Sequence, residues 1–128
     1  MTDVAATGRF EIDIKPGEEL FPTIGRFNFE KTWTGAVEGT SRGVMLSAGD
    51  PAEGSAGYVA IEHFVGQVEG RVGTLVFQQF GTMHDGADAL QYSIVPGSGT
   101  GQLAGAAGEL LIDATGGDHL IELRLRFG

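Results

Sequence analysis

Apolar and polar residues alternate with a period of two along most of the chain, and no segment of ten or more residues shows the 3.6-residue period of an amphipathic helix. The segment 119–127 shows this most clearly, because every second residue from Ile121 to Phe127 is apolar and the residues between them are charged. Such alternation predicts strands with one face buried and the other in water. The fold class is therefore predicted to be all-β.

The same pattern, punctuated by Gly, Pro and Asp, predicts eight strands: 8–15, 23–37, 40–48, 57–68, 71–81, 89–95, 109–113 and 119–127. Glu38-Gly39 and Glu69-Gly70 are predicted as two-residue hairpin turns. The first turn would place Trp33 opposite Val44. The second would place Glu62 opposite Phe77 and Ala60 opposite Gln79.

A long antiparallel meander leaves exposed edge strands unless it closes on itself. We therefore predict one domain, 1–128, folded as a closed antiparallel barrel of about eight strands, lipocalin-like in general shape.

Charge and cysteine content exclude several classes of function. Seventeen acidic and eight basic residues give a formal net charge of −9, which would repel phosphate backbones and anionic lipids. We predict no nucleic-acid partner and no membrane partner. The chain has no cysteine, which excludes disulfides and thiolate metal ligands. Since the first eight residues carry neither a basic leader nor an apolar run, we expect a cytoplasmic protein.

Two segments resemble a known family. They are 58–81, with Gly-Gln-Val-Glu-Gly-Arg at 66–71, and 95–105, with Pro-Gly-Ser-Gly-Thr-Gly-Gln-Leu-Ala-Gly at 96–105. On these residues the chain resembles an uncharacterised family of short bacterial proteins, and the resemblance extends from Phe10 to Phe127. That family is in turn similar to allene oxide cyclase-like barrels. The resemblance implies a barrel, and the wider group includes enzymes that let a reactive precursor cyclise without a cofactor. No cyclase catalytic residue aligns with a position of this chain.

Three polar residues lie on faces that otherwise look buried. Lys31 shares a strand face with Phe27, Phe29 and Trp33, while Glu62 and Gln79 share a hairpin face with aromatic residues. A buried charge is costly unless it is paired. We therefore predict that Lys31 and Glu62 point into the barrel near Gln79, as candidate catalytic residues. The predicted pocket around them is lined by aromatic residues: Trp33, Tyr58, Phe77 and Tyr92.

Other placements of these side chains remain open at this point. Lys31 could extend to the rim and Glu62 to solvent. Both faces of the hairpin 57–81 are apolar, so the opposite row, which contains Val59 and Phe80, could face inward instead. The candidates would then be His63 and Gln78, and the exposed aromatic row would favour a homo-oligomer contact.

Three functions follow from these residues. The first is a cofactor-independent isomerase or cyclase that acts on a small apolar or lipid-like molecule. In it, Glu62 is the anionic stabiliser or general base, Lys31 its partner or an oxyanion donor, and Gln79 an orienting amide. The others are a non-catalytic ligand carrier and a self-associating structural barrel. We predict no cofactor. We also predict no metal, because Asp-Gly turn chemistry explains the cluster of His84, Asp85 and Asp88.

Overall fold

Eight antiparallel strands form a closed barrel in the computed structural model, which describes residues 2–127. Each strand pairs with its neighbours in the chain, and β1 pairs with β8 to complete the barrel. The strands are β1 (Thr2–Pro16), β2 (Gly25–Gly35), β3 (Val37–Asp50), β4 (Ser55–Val68), β5 (Arg71–His84), β6 (Ala87–Ile94), β7 (Ala106–Asp113) and β8 (His119–Phe127). The predictions of an all-β chain and of an eight-stranded closed barrel are confirmed, whereas the allene oxide cyclase-like label stays a prediction.

Helical structure in the described residues is limited to two 3₁₀ turns, Pro51–Glu53 and Gly101–Leu103. Asp50 caps the first, since its carboxylate accepts a hydrogen bond from the backbone N–H of Ala52 at 2.9 Å. Within residues 2–127 no helix is long and apolar enough to cross a bilayer, a finding that concerns helices alone.

The hairpin of β4 and β5 has the predicted register. Glu69 and Gly70 form its turn with φ of 49° and 79°, the left-handed conformation that a two-residue turn needs at both positions. Glu62 accordingly lies opposite Phe77, and Ala60 lies opposite Gln79. Asp85 and Gly86 form a matching turn between β5 and β6, where the sequence predicted a longer loop.

The predicted register of the β2–β3 hairpin is wrong. The turn lies at Gly35-Ala36 rather than at Glu38-Gly39, so Trp33 pairs with Gly39 instead of Val44. Gly39 lies inside β3 opposite Gly66, and a Cβ at this position would collide with the backbone of β4. Gly39 is therefore required for close strand approach, and Gly35, with φ of 107°, supplies the positive φ at the turn.

The two ends of the barrel differ. The closed end is the end that carries the turns at 35–36 and 69–70 and the connection 95–105, and there Val37, Val68 and Leu103 are completely buried. The open end is the opposite one, which carries the connections 17–24, 51–54, 85–86 and 114–118. Aromatic and aliphatic side chains fill the barrel from its middle to the closed end. Among the described residues, the packed core therefore leaves unfilled space inside the barrel towards the open end.

The structure decides which face of the β4–β5 hairpin is inside. Phe64 and Phe77 are fully buried with Glu62, whereas Val59, Ile61 and Phe80 are 46%, 55% and 55% exposed. The alternative inward row, with His63 and Gln78 as candidates, is therefore on the outside. Because the row that faces water is still apolar, self-association through it stays a prediction.

Two Gly→Ala substitutions test the corrected turn. Gly70→Ala should cost about 1–2 kcal/mol of unfolding free energy, because φ is positive but no atom lies within 4 Å of an added Cβ. Gly39→Ala should cost roughly 3 kcal/mol or more, because overpacking against β4 adds to the conformational strain. Urea unfolding of the two variants measures the difference, and equal losses would contradict the position of Gly39 inside β3.

Candidate functional site

A buried ion pair joins β2 to β4 across the interior of the barrel. The ammonium Nζ of Lys31 lies 3.0 Å from Oε1 of Glu62, and the two residues are 4% and 2% exposed. Neither head group reaches bulk water. Gly43 on β3 lies opposite Phe29 on β2 and Glu62 on β4, and it leaves room for both side chains, because a Cβ at position 43 would collide with each of them.

Four hydrogen-bond donors surround the Glu62 carboxylate. Its Oε1 accepts from Lys31 Nζ, from the Tyr92 hydroxyl and from Gln79 Nε2, the last at 3.0 Å. Its Oε2 accepts from the Ser41 hydroxyl at 2.7 Å. Since every neighbour can donate to it, the site is built for an ionised carboxylate whose charge is balanced by Lys31.

Aromatic rings surround the Lys31 ammonium. Nζ lies 4.4 Å from the ring centroid of Phe10, 4.9 Å from that of Tyr92 and 5.1 Å from that of Phe29. Such contacts attract a desolvated cation. Burial nevertheless lowers the pKa of Lys31 below its ordinary value, while the charge of Glu62 opposes that shift.

Both tyrosines of the chain are tied to this carboxylate. Burial, reinforced by the charge of Glu62 and by the hydrogen bond to it, raises the pKa of the Tyr92 phenol well above its ordinary value. Burial and the same charge also raise the pKa of Tyr58. Both phenols therefore stay protonated at neutral pH and act as neutral hydrogen-bonding groups.

Ser41 belongs to the cluster and was not among the predicted site residues. Its hydroxyl donates to Glu62 and accepts a hydrogen bond from the indole Nε1 of Trp33 at 3.0 Å. The incorrect β2–β3 register hid it, because a turn at Glu38-Gly39 would have put Ser41 on the outside. The available signal was Trp33 itself, since a buried indole N–H requires an acceptor.

A cavity of about 610 Å³ occupies the open end of the barrel, on the side formed by β2 to β6. Its walls come mostly from apolar and small residues: Phe27, Met45, Ser47, Ala48, Gly49, Pro51, Ala56, Gly57, Tyr58, Gly81, Thr82, Met83, Asp88, Ala89 and Leu90. Tyr58 connects it to the ion pair, because the Tyr58 hydroxyl donates to Gln79 Oε1 at 2.9 Å and Gln79 in turn donates to Glu62.

The predicted site residues fall into two groups. Lys31, Glu62 and Gln79 are brought together as one hydrogen-bonded cluster, which leaves their catalytic role a prediction. Of the four predicted lining residues, Tyr58 lines the cavity. The other three are buried in the packed layer on the closed-end side of it: Trp33, Phe77 and Tyr92.

Aromatic rings pack against Tyr92 on the closed-end side of the ion pair. The ring centroid of Phe77 lies 5.4 Å from that of Tyr92 and 6.1 Å from that of Trp33. This packing holds the phenol of Tyr92 against the carboxylate of Glu62.

Within residues 2–127, no three His, Asp or Glu side chains lie close enough together to hold a metal ion.

Removing one partner of the ion pair should be strongly destabilising. Lys31→Met should lower the unfolding free energy by about 3–5 kcal/mol, because Glu62 would keep a buried charge without its cation. The double variant Lys31→Met/Glu62→Gln should lose less than the sum of its single variants. Arg42→Met is the matched control, since the Arg42–Glu30 pair is exposed and should contribute less than about 1 kcal/mol. Urea unfolding that shows additive single effects would contradict the pairing.

Tyr92 should make the fold sensitive to alkali. The phenol ionises near pH 10.0 in the unfolded chain, whereas burial keeps it protonated in the folded chain to higher pH. Stability should therefore fall as pH rises above 10, by up to roughly 1.4 kcal/mol per pH unit for one retained proton. The lowered pKa of Lys31 has the opposite effect, because it makes stability rise with pH. That rise ends at pH 10.5, the pKa of a lysine in the unfolded chain.

Denaturant unfolding of wild type and Tyr92→Phe at several pH values above about 10.5 isolates this effect from that of Lys31. The unfolding free energy of the wild type should fall more steeply with pH than that of Tyr92→Phe, by up to roughly 1.4 kcal/mol per pH unit, which corresponds to one retained proton. Equal slopes would mean that the Tyr92 phenol does not carry the alkaline loss.

Comparison with known proteins gives a family but no activity. Residues 6–125 match DUF3224, a family of proteins of unknown function. The crystal structure of a DUF3224 protein of unknown function from Shewanella oneidensis MR-1 is similar to this barrel, with 39% sequence identity, a TM-score of 0.94, and coverage of 99% of this chain and 98% of that chain. No curated protein matches the chain. The chain belongs to the DUF3224 family.

Proposed function

We propose that this protein binds a small apolar molecule in the cavity at the open end of its barrel. The observation that carries the proposal is the cavity itself, about 610 Å³ in volume, with mostly apolar walls and a few polar lining residues, among them Tyr58. Ligand sites are typically apolar clefts of roughly 300–1,000 Å³ with a few polar groups that orient the ligand. A barrel that serves only as a structural element would fill this space with side chains.

The ion pair supports binding by giving the cavity a rigid floor. Tyr58 is held by Gln79, and Gln79 is held by Glu62, so the hydroxyl at the cavity has a defined position before a ligand arrives. A preorganised group loses little conformational freedom on binding. The cluster thereby acts on a ligand through Tyr58.

Cofactor-free isomerisation or cyclisation is a second candidate, favoured by the hydrogen-bonded path from Tyr58 to Glu62. The geometry supports binding better. Both carboxylate oxygens already accept hydrogen bonds inside the protein, and Glu62 is almost completely buried. A general base must come within hydrogen-bond reach of the proton that it removes, so catalysis would first require Gln79 to move aside.

A fluorescent apolar probe tests the binding proposal. 1-Anilinonaphthalene is uncharged and emits strongly only in an apolar environment, so titration with the folded protein should show saturable binding at one site. Ser47→Phe should weaken this binding by about tenfold or more, because Ser47 lines the cavity and a ring there would occupy the ligand volume.

Ser93→Phe is the matched control. Ser93 is also partly buried on a strand, but it lines a groove on the outer surface together with Val44 and Ile61. This variant should bind the probe as the wild type does, and thermal unfolding verifies that both variants are folded. If Ser93→Phe abolishes binding and Ser47→Phe does not, the probe occupies the outer surface and the proposal fails.

A further inference from the structure

We infer that the cavity selects uncharged apolar molecules that carry a hydrogen-bond donor, and that it discriminates against anions of the same shape. This inference rests on the proposed function and names the class of ligand. Its two parts come from independent observations: the charges around the cavity, and the direction of the hydrogen bonds that end at Tyr58.

No cationic side chain lies among the described residues that line the cavity. Of the lining residues in 2–127, Asp88 alone is charged, and its carboxylate is exposed. Arg26 is adjacent in sequence to the lining residue Phe27, but its side chain lies against Gly17 on the outer face. Lys31 is inside the barrel, and its charge is already balanced by Glu62.

An anionic ligand would therefore lose its hydration without gaining a counter-charge, which is unfavourable in an apolar cavity. Asp88 and the net charge of −9 add repulsion. A neutral ligand meets neither cost, and the apolar wall, which includes Met45, Met83 and Leu90, would stabilise its body.

The direction of the hydrogen bonds determines what the cavity offers to a ligand. The Glu62 carboxylate can only accept, so the group of Gln79 that faces it must be the amide N–H. The amide oxygen of Gln79 then faces Tyr58 and can only accept. The Tyr58 hydroxyl consequently donates its one hydrogen to Gln79.

Because its hydrogen is already donated to Gln79, the Tyr58 hydroxyl presents a lone pair towards the cavity and acts there as an acceptor. The complementary ligand group is a donor, such as an alcohol O–H or an amine or amide N–H. A carbonyl, ether or ester oxygen in the same position would face another acceptor, which is unfavourable.

Three related probes test the two parts separately. 1-Anilinonaphthalene is neutral and has one N–H donor, its 8-sulfonate adds an anionic group, and its N-methyl derivative lacks the donor. Wild-type protein should bind the sulfonate about tenfold more weakly than the neutral parent, and the N-methyl compound about fivefold more weakly.

Tyr58→Phe should remove the difference between the parent and the N-methyl compound, because the ring stays and the acceptor is lost. Asp88→Lys should raise affinity for the sulfonate by about threefold or more. Glu11→Lys makes the same change of net charge on an exposed residue that does not line the cavity, and it should leave that affinity nearly unchanged. Because Asp88 is exposed, its variant tests the charge selection even if Tyr58→Phe fails to fold.

The outcomes separate this inference from the proposed function. Binding of the neutral probe with equal or higher affinity for the sulfonate would overturn the charge selection and leave the binding function intact. Equal affinity of wild type for the parent and the N-methyl compound would overturn the donor requirement. Failure of all three probes to bind the wild type would overturn the proposed function itself.

Discussion

The buried ion pair of Lys31 and Glu62 is the constraint on which the rest of the barrel depends. Two charges removed from water are tolerated only with close pairing and with hydrogen bonds to the remaining polar atoms. Here those bonds come from Ser41, Gln79 and Tyr92, so the cluster has one member on each strand from β2 to β6. A one-residue slip of any of these strands would turn its member outward. The polar cluster therefore specifies the register of more than half of the barrel.

The same cluster divides the interior into two parts. Towards the closed end, the ion pair rests on aromatic rings such as Phe10 and Trp33, and the packing is complete. Towards the open end, Gln79 and Tyr58 extend the hydrogen bonds into a cavity with apolar walls. Because the two charges neutralise each other inside the protein, the cavity receives the rigidity of the cluster without its charge. This arrangement supports the proposed binding of a neutral molecule over that of an ion.

Local signals in the sequence succeeded where they did not compete with tertiary contacts. The turn at Glu69-Gly70 was predicted correctly, since Gly70 lies in open space and only its positive φ matters. The same dipeptide at Glu38-Gly39 gave a wrong turn, because Gly39 is needed for the close approach of β3 to Gly66 on β4. That error reversed the predicted faces of β3. It concealed Ser41, which faces the interior and joins Trp33 to Glu62.

By itself, the sequence determined the all-β class, the eight strands and the presence of Lys31 and Glu62 in apolar rows, because alternation and turn residues are local properties. Only the tertiary structure decided which face of the β4–β5 hairpin lies inside, since both of its faces are apolar and a period of two does not distinguish them. It also decided that the Tyr92 hydroxyl hydrogen-bonds to both members of the ion pair, and that the cavity lies at one end of the barrel. Those features arise from contacts between residues far apart in the chain, such as Lys31 and Tyr92, which barrel closure brings within 2.8 Å.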